Sequence, residues 1–87
     1  MNNFQLVQTI NLSDGMHCEA QAAMFMGATR TDYVVTNPAW NNRLNDTTSH
    51  AAFREYMAAE LCVPDADVQG PERCKSSGCW SFSYLDV

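Results

Sequence analysis

Polar and apolar residues alternate along the first twelve positions of the chain. In NFQLVQTINL the even positions Phe4, Leu6, Ile10 and Leu12 are apolar, with Gln8 the exception, and the odd positions are mostly polar around Val7. A period of two predicts a β-strand. After Ser13-Asp14-Gly15 the alternation resumes, with Met16, Cys18, Ala20, Ala22 and Met24 interleaved with His17, Glu19 and Gln21. The two stretches therefore read as the arms of a hairpin.

Register tests that reading. A two-residue turn at Asp14-Gly15 would set Leu12 against His17 and Ile10 against Glu19, placing apolar against polar all along the pair. A three-residue loop, Ser13-Asp14-Gly15, is instead closed by Gly15 in the left-handed conformation that glycine favours. It opposes Leu12 to Met16, Ile10 to Cys18, Gln8 to Ala20, Leu6 to Ala22 and Phe4 to Met24, so the faces agree. The competing reading is a helix over about residues 14–27, because Glu, Ala, Gln and Met are good helix formers.

Downstream, RTDYVVT predicts a third strand with Tyr33 and Val35 on one face and Val34 on the other, ended by Pro38. TNPAWNNRLND reads as an Asn-rich loop, with Asp46 or Thr47 as a cap for the following helix. From Thr48 to Cys62, Phe53, Met57 and Leu61 recur every fourth residue, with Ala52, Tyr56 and Ala59 widening the apolar stripe. VPDADVQGPERCKSSG reads as a long connection. CWSFSYLDV returns to strand period, with Trp80, Phe82 and Tyr84 on one face and Ser81 and Ser83 on the other.

These elements predict an α+β fold: a small antiparallel sheet of about four strands, opened by the N-terminal hairpin and packed against one helix. If residues 14–27 were helical, the order would be β-α-β-α-β. At 87 residues, one domain, 1–87, is expected.

Composition narrows the setting. Hydrophobic residues make up 46% of the chain and charged ones 17%, a globular balance. Neither a signal-peptide pattern nor an apolar run long enough to span a bilayer stands in the sequence, so a cytoplasmic location is expected. In that reducing compartment Cys18, Cys62, Cys74 and Cys79 are thiols or metal ligands rather than disulfides. Ten acidic residues against five basic give a net charge of −5 and an isoelectric point near 4.6. That balance argues against direct nucleic-acid binding, which needs a basic surface, and suits a basic protein partner, including one that itself binds nucleic acid.

Two patterns carry candidate chemistry. His17-Cys18-Glu19, followed much later by Pro71 and the Cys74/Cys79 pair, resembles the zinc-dependent nucleoside and nucleobase deaminases, whose signature is H-x-E then P-C-x-x-C. The resemblance implies zinc held by His17, Cys74 and Cys79, with Glu19 shuttling a proton. Here four residues separate the cysteines, Pro71 lies three before Cys74, and the His-x-Glu falls in the expected hairpin rather than at a helix start. A structural zinc on Cys74, Cys79, Cys18 and His17 is the milder metal reading. The other familiar catalytic motifs are absent, so an enzyme is not expected, nor is a resident cofactor.

What remains favours protein binding. Trp40 and Arg43, types enriched at interface hot spots, sit beside Asn37, Asn41 and Asn42. Glu55, Glu60, Asp65, Asp67 and Glu72, acids gathered in the second half, could face a basic groove. In size, acidity and lack of catalytic motifs the chain resembles the small phage and mobile-element proteins that inhibit bacterial defence complexes such as CRISPR effectors. That resemblance implies stoichiometric inhibition in the host cytoplasm by a protein that could act as a homodimer.

Overall fold

The alternating N-terminal segments form strands β1 (Phe4–Asn11) and β2 (His17–Phe25), joined by a 3-10 turn over Ser13–Gly15. In this computed structural model residues 4–86 are described, with only the backbone described for residues 4–7, Asp14 and Phe25. The ladder pairs Phe4 with Met24, Leu6 with Ala22, Gln8 with Ala20 and Ile10 with Cys18. Leu12 N donates to Met16 O at 2.8 Å, and Gly15 has a φ of +73°. This is the register of the three-residue loop, and the helical alternative for residues 14–27 is overturned. The expected apolar facing of Phe4 and Leu6 lies outside the described side chains.

Strand β3 (Ala28–Val35) returns antiparallel to β2, pairing Val35 with Cys18 and Tyr33 with Ala20. The chain then leaves the sheet through helices α1 (Pro38–Leu44) and α2 (His50–Leu61). It re-enters as β4 (Val68–Arg73), and β5 (Trp80–Asp86) folds back between β4 and β3. The five-stranded sheet has the order β1-β2-β3-β5-β4, with every neighbouring pair antiparallel. The α+β class is as expected, with five strands in place of about four.

Both missed elements have identifiable causes. The Asn-rich segment forms α1 because Asn37 is extended and Pro38 takes the first helical turn, where its missing N–H costs nothing. Trp40 and Leu44, one turn apart, are both buried, and that burial outweighs the poor helix propensity of Asn. The supposed connection after α2 contains β4, an edge strand whose ladder is interrupted between Gln69 and Glu72. Pro71 sits within that bulge, after a cis Gly70–Pro71 bond, at a place where a sheet tolerates proline.

The helices cover one face of the sheet. Cys18, Val35 and Phe82 from the strands and Met16, just ahead of β2, meet Phe53, Met57 and Ala58 of α2 and Trp40 and Leu44 of α1, with Val68 closing the β4 side. Thr47–Ser49 is a 3-10 turn rather than the start of α2, and Asp46 caps it by accepting from Thr48 N. Ala58 joins the buried stripe, whereas Ala52 and Ala59 are exposed, because the sheet lies under the Phe53–Met57 side of α2. Side chains then fasten the helices to the hairpin turn. Glu60 accepts from Ser13 N at 3.1 Å and from Ser13 Oγ at 2.8 Å, and Tyr56 OH donates to Ser13 O. Among the described residues no helix is long and apolar enough to cross a membrane.

Candidate functional site

The alternation that aims Trp80, Phe82 and Tyr84 at the helices aims Ser81 and Ser83 the other way. Among the described residues no layer packs on the outer face of the sheet, as an antiparallel sheet allows. Ladder register arranges its side chains in rows across the strands. Gln21, Asp32, Ser83 and Gln69 form one row, drawn from β2, β3, β5 and β4. Glu19, Val34, Ser81 and Glu72 form the next. Because β5 supplies Ser81 and Ser83 between larger neighbours on β3 and β4, a valley runs along that part of it.

That valley is a groove of about 460 Å³. Ser81 and Ser83 form its floor, Arg30 and Asp32 flank it on the β3 side, and Gln69 and Glu72 flank it on the β4 side. Asp67 and Leu85 also line it. Three carboxylates therefore face the space with one guanidinium, and Arg30 Nε is already paired with Asp32 Oδ1 at 3.1 Å. The groove offers hydroxyl hydrogen bonds and excess negative charge, an arrangement that accepts a basic, hydrogen-bonding guest.

The residues singled out from the sequence are dispersed. Trp40 is 4% exposed, held edge-on to Phe53 at 5.1 Å and stacked on Tyr56 at 5.5 Å between ring centroids. It is a core residue, not a protruding anchor, because so small a core recruits every large ring near it. Arg43 lies over that ring at 4.2 Å from its centroid, a cation–π contact at the surface. Asn41 turns inward: its Nδ2 donates to Val35 O at 2.9 Å, and its Oδ1 accepts from Trp80 N at 2.8 Å. It joins α1 to β3 and β5. Glu60 is committed to Ser13, whereas Glu55 and Asp65 are exposed. Of the predicted acidic set, Asp67 and Glu72 reach the groove.

The possible zinc ligands do not converge. His17 is exposed while Cys18, its neighbour on strand β2, is fully buried on the opposite face, and burial pushes the Cys18 thiol up to about 11. Cys74 and Cys79 stand at the turn between β4 and β5. Among the described residues no group of three or more His, Cys, Asp or Glu is placed to hold a metal ion. The helix that the deaminase resemblance implies at His17 is a strand, so Glu19 points outward beside Gln21, whose Nε2 donates to it at 3.4 Å.

Sequence reasoning did not single out Asp32, Gln69, Ser81 or Ser83. The signal for the serines was present in the WSFSY alternation, but their neighbours across the groove depend on strand order. No protein-family model, curated protein or solved structure matches this chain.

Proposed function

We propose that this chain acts by stoichiometric binding to a basic protein partner, with the outer face of its sheet and the acid-rimmed groove along β5 as the contact surface. The uncovered polar face supports the reading: its short serine floor admits side chains, and its rim carries Asp32, Asp67 and Glu72. The net charge of −5 adds long-range attraction for a basic surface. A partner that normally holds nucleic acid suits this chemistry, and the finer reading is inhibition of a bacterial defence complex by a phage or mobile-element protein. Acidity and the absence of familiar catalytic motifs in this sequence support that finer reading.

A second copy is a natural further partner, through the β1 edge. Its sequence, FQLVQTIN, lacks charge, proline and glycine, the features that usually guard an edge strand. The β4 edge carries a bulge, Pro71, Glu72 and Arg73. Because Leu12 and Met16 share a ladder hydrogen bond, alternation points the backbone groups of Thr9 and Asn11 away from β2. Among the described residues no strand pairs with them on that side.

Titration of a Lys/Arg-rich peptide tests the surface. Binding is expected to weaken with ionic strength and to be lost in an Asp67→Lys/Glu72→Lys protein, while Glu55→Lys/Asp65→Lys retains it. Equal loss in both, or none in the first, would remove the groove from the reading. Expression in bacteria carrying an active CRISPR effector tests the finer function. Recovery of plaques by a targeted phage is expected, and unchanged plaque counts would dismiss inhibition of that effector.

A further inference from the structure

The β4–β5 ladder pairs Arg73 with Trp80, and one step beyond, at the mouth of the turn, stand Cys74 and Cys79. Cys74 N donates to Cys79 O at 2.8 Å, and Gly78 N donates to Cys74 O at 2.7 Å, closing the turn. The return bond goes elsewhere, Cys79 N donating to Ser77 Oγ at 3.2 Å, yet the direct amide-to-carbonyl bond still brings the two Cα atoms to roughly the 5.5 Å of antiparallel partners, inside the window of about 4.4–6.8 Å that a disulfide spans. Both residues are partly exposed, and neither is bridged.

Their surroundings differ in a way that assigns roles. Cys74 Sγ lies 3.1 Å from Ser76 Oγ, a hydroxyl that can donate to a thiolate. Cys79 Sγ instead has a carbonyl, Ser77 O, at 4.0 Å, a group with no proton to donate to sulfur. The Ser76 side chain first, then the Ser77 side chain and the amides of both residues, pull the Cys74 thiol down to about 6. Arg73 and Lys75 flank Cys74 in the chain, and Arg73 Nε donates to Gly78 O at 3.2 Å, keeping positive charge at the turn. Glu72 is the nearest acid in sequence.

We propose that Cys74 and Cys79 form a dithiol site for hydroperoxides, with Cys74 the attacking nucleophile and Cys79 the resolving thiol. The Cys74 thiolate attacks one peroxide oxygen; an S–O bond forms, the O–O bond breaks, and the departing alkoxide or hydroxide takes a proton from water. Cys74 is then a sulfenic acid. Cys79 sulfur attacks Cys74 sulfur; the S–S bond forms, the S–O bond breaks, and the hydroxyl leaves with the Cys79 proton as water. Two thiols have supplied the two electrons that reduce the peroxide. The bond locks the mouth of the β4–β5 turn. The site stands independently of the binding surface on the outer face.

Hydrogen peroxide added to the reduced full chain tests the proposal, read by intact mass and peptide mapping. The expected product is monomeric, has lost two hydrogens and is linked Cys74 to Cys79. Cys79→Ser is expected to accumulate a dimedone-trapped sulfenic acid at Cys74, whereas Cys74→Ser traps none at Cys79 at the same dose. Alkylation of Cys74 in the wild type should show a midpoint near pH 6, well below the ordinary thiol value of 9.0. Oxidation that yields only bridges to Cys62 or between chains, or trapping at Cys79 in place of Cys74, would overturn it. Circular dichroism of each variant, with Cys79→Ala as a second resolving-site change, confirms that the fold under test is intact.

Discussion

Replacing Cys62 by glycine should make this protein more stable, although it removes a side chain. Cys62 follows the last residue of α2 with φ 58° and ψ 43°, left-handed values rarely adopted by residues with a Cβ. The fold holds it there through a paired C-terminal cap in which Cys62 N donates to Ala59 O at 3.2 Å and Val63 N donates to Ala58 O at 3.0 Å. The left-handed conformation costs a non-glycine residue about 1–2 kcal/mol. Glycine relieves that cost but adds about 0.4–1 kcal/mol of unfolded-state entropy. Cys62 is exposed, so little packing is lost. Between the midpoints of these ranges the net gain is about 0.8 kcal/mol, and at about 4–8 °C per kcal/mol for a domain of this size the Tm rises by about 3–6 °C. Thermal unfolding followed by circular dichroism measures the shift, and urea unfolding should show a higher midpoint with an unchanged slope. Cys62→Ala is the control, since it removes the thiol and keeps the Cβ. A Tm that does not rise in Cys62→Gly, or rises equally in Cys62→Ala, would refute the reasoning.

Gly70→Ala should act in the opposite direction. At φ +106° an added Cβ would lie 2.9 Å from Ser81 O, so a loss of about 2 kcal/mol or more is expected in urea unfolding, with β4 detaching first in hydrogen exchange. Asp46 gives a pH signature. Hydrogen bonds from the Thr48 side chain and amide hold its carboxyl below the usual value of 3.8, so its contribution is fully present above that value and lost as pH falls through the lower, folded-state value. The Tm difference between wild type and Asp46→Ala should therefore be largest near neutrality and shrink below about pH 4; a constant difference would contradict the cap's ionic character. Thr9→Lys places a charge on the exposed β1 edge and should shift light-scattering mass from dimer to monomer without lowering Tm in the dilute protein. A wild type that stays monomeric at high concentration would dismiss the edge pairing.

Part of this architecture is local and could be read directly. The β1–β2 register follows from parity, because slipping by one residue would turn Met16 and Cys18 toward solvent and His17 and Glu19 toward the helices. The Phe53–Met57–Leu61 spacing similarly identifies α2, and the alternation of Trp80 to Tyr84 identifies β5. The remainder depended on contacts between distant segments. Segment 38–44 is helical because Trp40 finds Phe53 and Tyr56, partners that its Asn-rich sequence does not reveal. Segment 68–73 has one buried apolar residue, Val68, and a Gly-Pro bulge, and becomes a strand only by completing the hydrogen bonds of β5.

The groove belongs to the same class of outcome. Asp32 and Glu72 stand forty residues apart in the chain and meet across Ser81 and Ser83 only because β5 inserts between β3 and β4. The sequence by itself determined which side chains share a face, since strand and helix periods are properties of the local backbone. Tertiary structure alone decided which faces became neighbours, that Trp40 would serve the core, and that two serines would floor a groove, because strand order is selected by burial and pairing summed over the whole chain.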